Sequence, residues 1–177
     1  IQFIRNKNWS VTTQTTSLNY DQAKNFDLII SFGHNEIIKN ELLEKIKKLK
    51  ISILNLHISY LPYNRGAHPN FWAHVTDTPS GVSIHEITKK VDTGRILFQK
   101  KVNFDLKKKD QDTFRKTYLI LVKEIENLFK ENFDIIASGS YKSKNQMQSQ
   151  ATTHFKREIP NNFSDWDYNI LNYINKR

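Results

Sequence analysis

The chain contains no cysteine, which excludes a disulfide framework, a thiol nucleophile and any Cys-ligated metal site, and makes a reducing compartment the natural setting. It also lacks an apolar run near the roughly 20 residues that cross a bilayer, and its first residues have none of the basic start, apolar stretch and small-residue cleavage site of a signal peptide. The reading is therefore a soluble, cytoplasmic protein with no membrane partner. No methionine opens the chain, so it is expected to lack its natural N-terminus. Acidic residues are in short supply, 18 Asp and Glu against 27 Lys and Arg, a formal net charge of +9. The excess gathers in "KIKKLK" and "LKKKDQ", flanking predicted helices, where a charge run reads as a solvated face. A nucleic-acid partner is set aside on that ground. A basic surface equally suits a nucleotide-linked metabolite or a polyglutamylated cofactor.

What is present fits one domain, since 177 residues can bury most of the surface the unfolded chain exposes. "FDLIISFG" is a continuous apolar run closed by Gly33, the pattern of a strand covered on both faces. "NELLEKIKKLK" follows with Leu42, Leu43, Ile46 and Leu49 at helical spacing and Asn40 as the expected N-cap, and "ISILNLHI" is a second buried strand. Strand, helix and strand make a βαβ unit, so the fold class is α/β, with a mostly parallel sheet flanked by helices. A loop punctuated by Pro62, Gly66 and Pro69 leads to a short helix carrying Phe71, Trp72, Ala73 and Val75. "GVSIHEI" and "RILFQKKV" read as two extended segments around the loop "TKKVDTG". A long amphipathic helix is expected over about 110–131, capped by Asp110 or Asp112, with Phe114, Tyr118, Leu121, Ile125 and Leu128 on its core stripe.

After Gly139 the pattern gives way to polar sequence, and a last helix is expected within "SDWDYNILNYINKR", capped by Ser164 or Asp165. The organisation read from this is a core over 1–138 and a C-terminal extension over 139–177 packed on it. At the other end "IQFI" is expected to be a strand and "SVTTQTTSLNYDQAKN" a turn-rich approach to the first strand.

Chemistry concentrates where the second strand ends. Residues two apart on a strand share a face, so Asn55 and His57 stand together with Ile51 and Ile53, at the carboxyl edge where open α/β sheets bind ligands. A side-chain amide and an imidazole aimed at one point suit a developing oxyanion, hence acyl transfer. On these residues alone a second account stands beside it: Asn55 caps the strand and His57 is a core histidine donating to a backbone carbonyl. Asp92, likewise, can be read as a turn residue before Gly94. His68, His74 and His85 have no acidic partner at metal-ligand spacing, so no metal is expected, and His85 is assigned to strand packing.

The three stretches "NLHISYLPYNRGAHP", "SGVSIH" and "VDTGRIL", in this order and spacing, resemble the folate-dependent formyltransferases that use N10-formyltetrahydrofolate. The likeness covers residues 27–103 well and the tail weakly, and since the family's sheet begins with a strand and helix of which this chain supplies at most a remnant in "IQFI", it implies an incomplete N-terminal strand and helix. It implies a Rossmann-like formyltransferase core and a catalytic trio of Asn55, His57 and Asp92, in which Asn55 and His57 hold the oxyanion. Asp92 would orient His57, raise its pKa and help carry the proton leaving the amine. It further implies a folate pocket lined by Phe32, Gly33, His34 and Ile37 on one side and by Thr88 to Val91 on the other. Gly94 is counted with these folate-binding residues, supplying backbone freedom or close approach, and His34 could equally be a loop histidine without a role. "SYLP" would support His57, with Leu61–Pro62 a candidate cis bond.

Within the family, a methionyl-tRNA enzyme carries a further tRNA-gripping domain, and the glycinamide-ribonucleotide branch is less similar to "NRGAHPNFW". The chain is most similar to the sugar N-formyltransferases, which formylate an amino-dideoxy sugar carried on a nucleotide such as dTDP for lipopolysaccharide O-antigen. Ser59, Pro62, Tyr63, Arg65, Gly66 and Trp72 would then face the sugar-nucleotide side, although Arg65 could serve equally to fix its loop and Trp72 to fill the core. Phe155, Trp166 and Tyr168 could stack a base, with packing the preferred role. Family members often pair, so a homodimer belongs to the expectation. The competing class is a non-catalytic basic binding module on the same fold, whose affinity would fall steeply with salt and ignore Asn55 and Asp92.

Overall fold

The computed structural model describes residues 1–34 and 36–176. Strands β1 (Leu28–Phe32) and β2 (Ser52–His57) run parallel in the register Leu28 to Ser52 through Phe32 to Leu56. Two helices precede β1, α1 (Gln2–Arg5) and α2 (Tyr20–Ala23), and α3 (Asn40–Lys48) makes the crossover from β1 to β2. β3 (Arg65–Gly66) and α4 (Pro69–Val75) follow, then β4 (Gly81–Glu86) and β5 (Ile96–Lys101). The long helix α5 (Phe114–Ala137), β6 (Thr153–His154) and α6 (Ile170–Asn175) complete the chain.

The main sheet has the order β1-β2-β4-β5, and it is mixed where the sequence suggested mostly parallel pairing. Only β1 and β2 run parallel; β4 lies antiparallel to both β2 and β5. A parallel partner needs a long crossover, and α3 supplies one for β1 and β2. The loop between β4 and β5 holds no helix, so that pair can only turn back on itself. The α/β character and the flanking helices stand.

Both faces of the sheet are covered, and β2 sorts its side chains between them. Leu54 and Leu56 join Val82, Ile84 and Leu97 beneath Leu121, Ile125, Leu128, Phe129, Phe133 and Ile136 of α5. The alternate residues Ile51 and Ile53 face Leu42 and Ile46 of α3, with Ala23, so Asn55 and His57 continue the α3 side past the end of that packing. A second core, of Phe71, Trp72, Phe114, Phe163 and Ile170, ties α4, the start of α5 and the tail together.

Several local expectations change. Gln2–Arg5 is helical, because Phe3 and Trp9 pack edge-on against Phe133 of α5, at 5.6 and 5.9 Å, instead of joining a sheet edge. The stretch expected to be only turns holds α2, capped by Asn19. The N-cap of α3 is Lys39, with Asn40 the first helical residue. Thr113, not Asp110 or Asp112, caps α5: its hydroxyl accepts from the Lys116 amide, while Asp112 pairs with the Lys116 ammonium at 2.8 Å. α5 runs on to Ala137, ended by Gly139 at φ +69°. The last helix starts later than expected and is capped by Asn169; Asp165 instead accepts from the Asp167 amide in a tight turn. No helix among the described residues is long and apolar enough to cross a membrane.

Candidate active site

Three backbone features bring the polar residues together. Asn55 is paired directly with His85 across the antiparallel β2–β4 ladder. The loop after β4 then folds back on its own strand at Gly94, where any Cβ would lie 1.8 Å from the Glu86 carbonyl oxygen. Close approach there requires glycine, and it carries Asp92, at φ +50°, over the end of β2. The expectation for Gly94 is thus a backbone matter, and it sets the position of a carboxylate.

Asp92 is the hub. Its Oδ2 accepts from the Gly66 amide at 2.8 Å and lies 3.5 Å from His57 Nε2. Its Oδ1 is 3.3 Å from Asn55 Nδ2 and 3.4 Å from His85 Nε2. Asn55 Nδ2 also lies 3.3 Å from His85 Nε2, and His85 Nδ1 sits 2.8 Å from the Glu86 carbonyl, to which it donates. His57 is buried, its Nε2 3.5 Å from the Asn64 carbonyl oxygen. Sequence reasoning placed Asn55, His57 and Asp92 here and left out His85. The signal available was its pairing with Asn55, which appears only once the strand register is known.

Electrostatics separates the charged and neutral partners. Burial alone would raise the Asp92 carboxyl, but the charge of His57, the hydrogen bond and charge of His85 and the Gly66 N–H together hold it well below the ordinary carboxylate range. For His57 burial is the largest influence and lowers its pKa; Asp92 pulls the other way, His85 adds to the lowering, and the net direction is down. The expected rise of the His57 pKa is therefore corrected: Asp92 does favour the imidazolium, yet desolvation outweighs it. At neutral pH the site holds a carboxylate beside a neutral imidazole, a group able to take up a proton.

The residues assigned to the sugar-nucleotide side are mostly interior. Ser59 donates to the Tyr63 carbonyl, and Leu61–Pro62 is cis, with both residues buried. Arg65 is buried, its Nε and Nη2 donating to Gln146 Oε1 at 3.0 and 2.6 Å and its Nη1 to Gln148 Oε1 at 3.2 Å. Trp72 belongs to the second core and stacks on His154 at 4.2 Å. Of the two roles considered for Arg65 and Trp72, these contacts are those of loop fixing and packing; Tyr63 and Gly66 are the members left partly exposed. Trp166 packs against the second core, whereas Phe155 and Tyr168 are exposed.

On the expected folate side, Phe32, Ile37 and Val91 are 45, 76 and 44% exposed, Thr88 is exposed, and a Cβ at Gly33 would meet nothing within 4 Å. His34 lines a neighbouring groove with Tyr20, Ile37, Leu42 and Lys45. Among the described residues no group of three His, Asp or Glu side chains is arranged to hold a metal ion.

Known proteins share this arrangement of chain. The formyltransferase PseJ from Anoxybacillus kamchatkensis, crystallised with UDP-4,6-dideoxy-4-formamido-L-AltNAc and tetrahydrofolate, superposes with a TM-score of 0.85 at 34% identity, over 99% of this chain and 92% of that one. A dTDP-4-amino-4,6-dideoxyglucose formyltransferase from Mycobacterium tuberculosis is 29% identical over 122 residues, 69% of this chain and 48% of that protein. The bifunctional polymyxin resistance protein ArnA of Wigglesworthia glossinidia brevipalpis is 29% identical over 150 residues, 84% of this chain and 22% of that protein. The chain thus spans half or less of the length of these two curated relatives. Residues 2–123 match the profile described as Formyl transferase, and with a relative as near as PseJ along almost its whole length, the chain belongs to the formyl transferase family.

Proposed function

We propose that this chain transfers the formyl group of N10-formyltetrahydrofolate to the amino group of a nucleotide-linked amino-dideoxy sugar, with Asn55, His57 and Asp92 as its catalytic residues. The observation that carries the reading is the convergence of Asn55 and His57 on the Asp92 carboxylate, at 3.3 and 3.5 Å, in a chain similar to PseJ over nearly its full length. Folate supplies the formyl group; Phe32, Gly33, His34, Ile37, Thr88 and Val91 would hold it.

The side chains have the properties the chemistry asks for. As an amine adds to a formyl carbon, negative charge gathers on the formyl oxygen and positive charge on the nitrogen. Asn55 carries amide protons whose present bonds, at 3.3 Å, are long, so they can turn to an incoming oxyanion at little cost. The Asp92 carboxylate stabilises the ammonium-like nitrogen, and neutral His57 beside it can take up the proton and return it to N10 of the folate as the tetrahedral adduct collapses and the formyl C–N10 bond breaks. Residues 1–138 act as the catalytic core, with 139–177 as an extension packed on it. The nucleotide on which the PseJ ligand is carried is uridine diphosphate, so a UDP-linked 4-amino-4,6-dideoxy sugar is the first substrate to offer, ahead of the dTDP-linked ones.

The test is transfer from N10-formyltetrahydrofolate to UDP- and dTDP-linked 3-amino and 4-amino dideoxy sugars. Wild type should turn over one of them, and Asn55→Ala should reduce that turnover on the order of 100-fold or more, with His57→Ala at least as damaging. Folate binding without turnover of any sugar would overturn the substrate class, and absence of folate binding would overturn the reaction.

A further inference from the structure

Gln146 lies in the polar tail, outside every motif, yet it is buried and spends its whole amide on the site. Its Nε2 donates to the backbone carbonyls of Asp92 at 2.8 Å and Gly94 at 2.7 Å. Its Oε1 accepts twice from the buried Arg65 guanidinium, at 3.0 and 2.6 Å. Two donors and two lone pairs are all a side-chain amide has. Glutamate could not make this set, because a carboxylate would face the two carbonyls with no proton to give.

What Gln146 grips is the segment with most need of a grip. Asp92 is a non-glycine residue in the left-handed region, at φ +50°, a conformation that persists only where the surroundings enforce it. Of the contacts to its carboxylate only the one from the Gly66 amide, 2.8 Å, is short; those to Asn55, His57 and His85 are 3.3–3.5 Å. The tail holds that donor as well. In the parallel β3–β6 pair, Arg65 N donates to the Thr152 carbonyl at 3.0 Å and Ala67 N to the His154 carbonyl at 2.9 Å. The Gly66 N–H between them points the other way, at Asp92.

We propose that Gln146 is a positioning residue: it locks the Asp92–Gly94 backbone to Arg65, so that the C-terminal tail, and not the core alone, sets the Asp92 carboxylate against His57 and Asn55. The proposal rests on the catalytic reading of Asp92 given above. Gln146 touches no reacting atom in it, and acts through the carboxylate it places.

Gln146→Met keeps the length of the side chain and removes all four hydrogen bonds. If Asp92 is released, His57 loses the charge that raises its pKa while its burial remains, so its titration must move to lower pH. NMR titration of the imidazole resonances of the free protein reads this without any substrate. The expected result is a His57 midpoint at lower pH in Gln146→Met than in wild type, with no such shift in Gln148→Met, which takes a partner from Arg65 but leaves Asp92 alone. Gln146→Glu retains an acceptor for Arg65 should the methionine variant fail to fold. In either Gln146 variant kcat should fall about 10-fold or more, the scale of a small misplacement of a catalytic group, with KM for folate little changed. An unshifted His57 midpoint in folded Gln146→Met, or full kcat in Gln146→Glu, overturns the positioning role. Wild type that turns over no sugar overturns the catalytic reading instead, and the titration still decides whether Gln146 places Asp92.

Discussion

At the scale of single residues, the site turns on one carboxylate that is left-handed, ionised and only 10% exposed. Asp92→Asn separates its charge from its shape. The amide removes the charge that favours a proton on His57, and it turns one acceptor into an NH2 group facing the donors of Gly66 or Asn55. Turnover should fall by roughly 100-fold or more, and stability at pH 7 by about 1–3 kcal/mol, the scale of a buried unmatched donor. The folded pKa of Asp92 is depressed, so its contribution is present above the unfolded carboxylate value of about 3.9 and is lost as pH falls through the folded value. Between neutrality and about pH 4 the stability gap between the two proteins should widen, because wild type keeps a charge beside the His57 imidazolium that the variant lacks. Below about pH 4, where the unfolded carboxyl takes up its proton, it should narrow again, as urea unfolding at pH 7, 4 and 3 would show; a gap independent of pH would count against an ionised Asp92. These residues were legible because they fall in compact local stretches. His85 and Gln146 were not: the first enters through cross-strand register, the second from a segment without periodicity, brought in by a two-residue strand pair.

At the scale of elements, strands β1 and β2 and helix α3 were readable from apolar runs and helical spacing, since burial on both faces leaves a continuous apolar signature. Helix ends were less so. Several residues near each start can cap, and the choice falls to the one whose backbone is extended where the chain arrives, Thr113 for α5 and Asn169 for α6. Pairing direction was not readable, because an apolar run carries no sign of it. The element that joins tail to core, β3 with β6, depends on a single glycine. Gly66 has φ +85°, and a Cβ there would lie 2.3 Å from the His154 carbonyl oxygen. Gly66→Ala should force the two strands apart, displace the donor to Asp92, and cost more than about 1 kcal/mol in stability. Gly33→Ala is the comparison: its φ of +64° is also left-handed, but nothing lies within 4 Å of the added carbon, so only the conformational cost of about 1 kcal/mol applies. Urea midpoints of the two variants should rank Gly66→Ala well below Gly33→Ala, and equal midpoints would mean that β6 yields without resistance.

At the scale of the whole molecule, two cores share α5, and a histidine sits between them. His74 packs between Phe104 and Phe114, with ring centroids at 5.4 and 6.0 Å, and its Nε2 has no partner among the described residues. Burial lowers its pKa to about 4. In the unfolded chain a histidine titrates near 6.5, so between these values the unfolded state holds the extra proton and stability must rise with pH. His57, His68 and His154 are lowered for the same first cause, burial, and push the same way. The fold should accordingly lose stability as pH drops from 7 towards 4, well before its carboxylates protonate. For His74 alone the loss between pH 7 and 5 is roughly 2 kcal/mol, taking 1.36 kcal/mol for each pH step that lies between the two titrations. His74→Phe removes that proton from the balance. Whatever the larger ring costs in packing is the same at both pH values and cancels from the difference. Urea unfolding at pH 7 and 5 should thus show wild type losing about 2 kcal/mol more than His74→Phe, and an identical pH dependence in the two proteins would show that His74 reaches solvent when it takes up its proton.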